Sequence, residues 1–95
     1  MNIKEEYEQK TEAKLNELNA EIEKLKAKAD KVEADAKIKY KEEIEKLSII
    51  KEDFSQKLTA LKEAGSSSWE KRKSDIEKLT SALEGTLKSV ISKFQ

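Results

Sequence analysis

The chain has 95 residues, 42% of them charged and 36% hydrophobic, with no proline and two glycines. Twenty basic side chains balance twenty acidic ones, which argues against the positive excess of a nucleic-acid binder. The absence of cysteine and histidine removes disulfides, thiolate chemistry and the commonest metal ligand and general base.

Glu, Lys, Ala and Leu dominate, the usage of coiled coils and long helices. So small an apolar supply fits a seam along helices better than a thick core. The first third of the chain is net acidic and the last third net basic. The opening Met1-Asn2-Ile3-Lys4 carries no apolar leader. No run approaches the 18 or so apolar residues of a membrane-crossing helix, so a cytoplasmic protein is expected.

The first predicted element is one long helix over about 3–64. Asn2 suits its N-cap, with Glu5 three residues later as in a capping box. Leu15, Leu18, Ile22, Leu25, Ala29, Val32 and Ala36 then follow one another in alternating steps of three and four. That is the a/d spacing that keeps one stripe facing a partner helix. After Ala36 the spacing passes Tyr40 and Ile44 to Leu47, an 11-residue stutter that relaxes a left-handed supercoil. The seam resumes through Ile50 or Lys51 to Phe54, Leu58 and Leu61. No proline or glycine interrupts these residues, and a helix of this length would span about 93 Å. Acid-first pairs at i,i+4, among them Glu6–Lys10, Glu33–Lys37, Glu42–Lys46 and Asp53–Lys57, would each add about 0.2–0.5 kcal/mol.

The one break signal is Ala64-Gly65-Ser66-Ser67-Ser68. Gly65 suits the left-handed residue that ends a helix, and Ser67 with Glu70 reads as a second capping box. A turn over 65–67 and a second helix over about 68–94 follow. Its stripe holds Trp69, Ile76, Leu79, Leu83, Leu87, Val90, Ile91 and Phe94.

A short turn between helices favours an antiparallel hairpin. The expected fold is therefore all-α, a single domain in which the short helix folds back on the long one. Hairpin packing falls to Leu47, Phe54, Leu58 and Leu61 against Trp69, Ile76, Leu79, Leu83, Leu87, Val90 and Phe94. The short helix reaches only about residues 38–64, so the seam from Leu15 to Ala36 lacks a partner within the chain. A bare leucine seam marks an association surface, and a homodimer or other homo-oligomer, paired antiparallel and crossing at the small Ala29 and Ala36, is expected to cover it.

The stretch Ile22-Glu23-Lys24-Leu25-Lys26-Ala27-Lys28-Ala29 through Tyr40, Ile44 and Leu47, with the junction Ala64-Gly65-Ser66-Ser67-Ser68-Trp69-Glu70, resembles a group of small bacterial coiled-coil proteins of unassigned function. The resemblance implies a helical fold and no catalytic residue; it names no substrate or partner. The chain departs from that group at Ser81, Thr86, Ser89 and Ser92, where more Lys, Glu and Ala would be expected.

No carboxylate stands near a base, a nucleophile or a glycine-rich loop, and no nucleotide-binding or EF-hand spacing occurs. Catalytic, cofactor and metal residues are therefore not expected. Lys71-Arg72-Lys73 reads as the solvated first turn of a helix, and Trp69 as the plug of a hairpin end. The expected function is a non-enzymatic structural or protein-interaction protein that self-associates. The alternative is a peripheral membrane or lipid-binding protein: the stretch Leu79–Phe94 is amphipathic with a Ser, Thr and Gly face, as in helices that sense lipid packing.

Overall fold

A computed structural model describes every residue except Met1, Ser66 and Gln95. Among the described residues it contains three helices: α1 (Ile3–Ala29), α2 (Ala34–Glu63) and α3 (Trp69–Lys93). Among the described residues there is no strand.

The expected helix over 3–64 is thus two helices, separated by Asp30–Glu33. The molecule measures 51 × 19 × 18 Å, whereas an unbroken helix of that length alone would reach about 93 Å. Burial explains the difference. Leu18, Ile22, Leu25 and Ala29 are each 4% exposed or less, and fully burying a leucine or isoleucine is worth about 1.5–3 kcal/mol. Leaving four residues out of a helix forgoes far less, because propagation gains little per residue.

Contacts between the helices fix their directions. At one end of the bundle the Lys4 ammonium donates to the Lys62 carbonyl at 3.0 Å, and Lys62 pairs with Glu12 at 3.0 Å, so α1 and α2 run antiparallel. At the other end the Tyr40 hydroxyl donates to the Phe94 carbonyl at 3.2 Å, and Lys93 meets Glu43 at 3.2 Å, so α2 and α3 are antiparallel too. That leaves α1 and α3 parallel, joined by Lys14 and Glu84 at 3.1 Å.

The core runs the length of the bundle. Leu47, Phe54, Leu61, Leu83 and Val90 are wholly shielded, and Tyr40, Ile44, Leu58, Trp69, Ile76 and Leu87 join them. Leu15, Val32, Leu79, Ile91 and Phe94 pack half-buried at its margins, as does Ala36.

The helix ends follow the sequence at one place and depart from it at two. The Asn2 side-chain oxygen accepts from the Glu5 N–H at 2.8 Å, capping α1. Gly65 does not adopt a left-handed conformation; instead α2 ends at an extended Ala64, φ −72° and ψ 145°. The N-cap of α3 is Ser68, not Ser67, and it makes no side-chain cap. The Gly65 carbonyl holds this junction, accepting from Ser68 N–H at 3.0 Å and Trp69 N–H at 3.2 Å.

None of the four acid-first i,i+4 pairs named above forms among the described residues. The intrahelical pairs are Lys4–Glu8 at i,i+4 and several at i,i+3. Exposed pairs contribute so little that side-chain entropy decides which of them form.

Candidate functional site

The self-association seam expected from the sequence lies inside the fold. Leu18, Ile22, Leu25 and Ala29 are buried, and Leu15, Val32 and Ala36 are half-buried beside them. The break at Asp30–Glu33 turns this seam back onto the chain's own α2 and α3, so it is no bare surface. The hairpin set is buried or packed at the core margin as well. The apolar face of α3, through Ile76, Leu83, Leu87 and Val90, is part of that core, and a bilayer could reach it only if α3 left the bundle. Among the described residues no helix is long and apolar enough to cross a membrane. None of their His, Cys, Asp or Glu side chains form a group of three or more that could hold a metal ion.

What the bundle does leave open is the seam between α1 and α3. Three shallow, open hollows follow one another along it. The first, about 420 Å³, is lined by Tyr7, Lys10, Thr11, Lys14, Glu77, Thr80 and Ser81. The next, about 240 Å³, lies between Leu18, Glu21, Glu84, Leu87 and Ile91. The last, about 170 Å³, is bounded by Glu21, Lys24, Leu25, Lys28 and Ile91. Residue type explains the opening. The buried positions of α1 continue toward its N-terminus as Leu18, Thr11 and half-buried Tyr7, so the floor turns polar and small where a leucine would have closed it.

The upper end of the groove is the more structured. Tyr7 lies against Trp69, ring centres 5.8 Å apart and tilted by 39°. The Lys73 ammonium stands 5.1 Å from the centre of the Tyr7 ring, a cation–π distance. The Tyr7 hydroxyl donates to the Lys73 carbonyl at 3.4 Å. Burial raises the pKa of this hydroxyl above the ordinary tyrosine range; the negative charge of Glu77 adds to the rise and a hydrogen bond with Thr11 opposes it. Further down, Lys14 bridges the walls. Its hydrogen bond to Glu84, with Glu17 nearby, raises its pKa above the ordinary lysine range.

Charge alternates along the walls. Lys10 and Lys14 outnumber Glu77 at the upper end, Glu17, Glu21 and Glu84 outnumber Lys14 and Lys88 in the middle, and Lys24 and Lys28 outnumber Glu21 at the lower end. Little in the sequence marks this groove. Its signal was there in part: Tyr7, Thr11 and Lys14 precede Leu18 at seam spacing.

A separate hollow of about 360 Å³ lies between Lys39, Glu42, Glu43, Lys93 and Phe94. Beside it Tyr40 and Phe94 stack at 3.8 Å. The Glu43 carboxylate, bonded by Lys93 and then Lys46, is held below the ordinary glutamate range in spite of some desolvation.

Comparison of the chain with family models, with curated proteins and with solved structures finds no match.

Proposed function

We propose that the chain is a non-enzymatic protein-interaction bundle whose α1/α3 groove receives an amphipathic helix of a partner protein. One observation carries this reading: three open hollows in succession between two parallel helices, floored by apolar and small side chains and walled by charged ones. A helix lying in such a groove would set its apolar face on Tyr7, Thr11, Leu18, Leu87 and Ile91, which line these hollows.

The wall charges specify the guest. Basic, acidic and basic stretches succeed one another, so the fitting helix carries acidic ends and a basic middle. A second copy of this groove does not fit, because the order reads the same from either end and sets like charge on like in both directions. Complementary charge of this kind governs specificity and encounter rate more than affinity.

Two amphipathic peptides of identical composition test the proposal, one with glutamates at the ends and lysines in the centre, the other with that order reversed. In titration calorimetry the first binds more tightly, and its advantage shrinks with added salt. Replacing Glu17 and Glu21 by lysine removes the acidic middle and abolishes the preference. Equal binding of the two peptides at low salt, or binding by neither, rules the groove out as a helix receptor.

A further inference from the structure

The connection between α1 and α2 is unlike an ordinary turn. It contains no glycine or proline, and none occurs anywhere from Ile3 to Ala64. No residue in it has a positive φ. Asp30 keeps right-handed helical angles, φ −69° and ψ −18°. The Lys31 N–H still bonds back to the Lys28 carbonyl at 3.0 Å. Glu33 has a φ of −63°, already helical, and departs through its ψ of 156°. Its side chain makes no cap, and its N–H has no backbone acceptor among the described residues.

The sequence around this loop is written as though the loop were absent. Leu25, Ala29, Val32 and Ala36 hold their three-and-four spacing straight through it. A hairpin gives no reason to preserve helical phase across its own turn, because the two flanking helices are free to rotate independently. A continuous helix requires that phase.

From this we infer that the chain also forms a dimer in which residues 30–33 straighten, α1 and α2 become one helix, and two copies exchange their α1 segments. Each α1 then lies on the α2 and α3 of its partner. The contacts are those of the single chain, made between chains: Leu18, Ile22 and Leu25 in the core, Glu12 with Lys62, Lys14 with Glu84. New contact arises where the two straightened helices cross, near Ala29 and Ala36, whose small side chains allow close approach. Because almost every interaction is common to both forms, concentration and the loop decide between them. Exchange requires α1 to leave its own bundle, so the two forms interconvert slowly once separated. The inference does not rest on a helix occupying the groove. In the exchanged dimer each groove is built from α1 of one copy and α3 of the other.

The test uses the full chain carrying Glu12→Cys and Lys62→Cys, whose parent side chains lie 3.0 Å apart. Monomer and dimer fractions are separated by size exclusion at millimolar loading and treated with a short bis-maleimide. The monomer is expected to link within one chain. The dimer is expected to give a covalent two-chain band on a denaturing gel. Absence of any dimer, or a dimer that links only within single chains, overturns the inference.

A second variant isolates the loop. Glu33→Pro suits the bundle, since proline fixes φ near −65° and gives up an N–H that no backbone group uses here. In the interior of a continuous helix it is strongly disfavoured. Dimerisation should weaken roughly a hundredfold or more while the monomer keeps its helical circular dichroism. A Glu33→Pro dimer that still links between chains overturns the inference. Should proline disturb the monomer, insertion of Gly-Gly-Ser between Lys31 and Val32 gives the same readout, with loss of dimer expected and persistence of dimer again decisive against exchange.

Discussion

The seams that α2 makes and the seam between α1 and α3 are built from the same kind of helix and end differently. Along α2 every turn puts a large side chain inward: Tyr40, Ile44, Leu47, Phe54, Leu58 and Leu61 are all buried. Along the α1/α3 contact, Thr11 and Lys14 of α1 face Glu77, Thr80 and Ser81 of α3 around an open cavity. The amphipathic period is equally regular in both places. What closes a seam is the volume at its inward positions, and a threonine there leaves a space that a leucine would have filled.

The strongest way to break this comparison is to put a charge where α1 meets both neighbours. Leu18→Asp buries an unpaired carboxylate in the single-chain core, and the bundle should lose its helical circular dichroism at 25 °C. If the variant stayed fully folded and changed only its mass in ultracentrifugation, Leu18 would face another molecule and not α2 and α3.

Next in size is truncation on either side. Leu47→Ala should cost about 2–5 kcal/mol in urea unfolding, since it opens a void in a fully enclosed layer. Ser81→Ala, at the exposed lip of the groove, should stay within about 0.5 kcal/mol. Comparable losses at the two positions would mean that the groove is not open in solution.

Gly85 belongs to neither seam. It sits inside α3, and a methyl group built there meets nothing within 4 Å. Gly85→Ala should stabilise the bundle by about 1 kcal/mol through helix propensity alone; a lower melting temperature would show that this back surface is packed against something.

The smallest effect is the pH dependence, which separates the seams by sign. Glu43, on the α2/α3 seam, has a folded-state pKa below its unfolded one. Its contribution is present above the ordinary glutamate range and disappears as pH falls through the lower folded value. Tyr7 and Lys14, on the open seam, are shifted upward. Their contributions are full below the ordinary tyrosine and lysine ranges and are lost as pH rises through the folded values. Melting curves should therefore show Lys93→Ala flattening the acid limb and Lys14→Ala the alkaline one. A Lys93→Ala variant with an unchanged acid limb would remove Glu43 from the account.

Much of the core was legible in the residues. The spacing of Leu18, Ile22 and Leu25, and of Ile76, Leu83, Leu87 and Val90, identified inward faces that the fold buries. What these faces pack against was not legible, because period alone does not say whether a stripe meets its own chain or another. The turn at Asp30–Glu33 was hidden for a local reason: Asp, Lys, Val and Glu all tolerate a helix, and the seam phase continues past them. The Gly65 junction was visible through composition, yet its conformation was not, since Ala64 takes an extended form and Gly65 needs no left-handed angle. The groove is not legible in the residues because it depends on which third helix lies beside α1.

Trp69 is the chain's single tryptophan. It is 6% exposed and lies beside Tyr7, at the end of the bundle where the Gly65 junction delivers the chain into α3. The opposite end is closed by Tyr40 and Phe94, with no indole. Fluorescence emission therefore reports from one end of the molecule only, and helical ellipticity from its whole length. Fraying that begins near Phe94 would lower the ellipticity while the indole stays blue-shifted, whereas fraying at the Trp69 end would redden the emission first. The placement of one aromatic residue makes the order in which the two ends melt readable by two optical signals, with no label added.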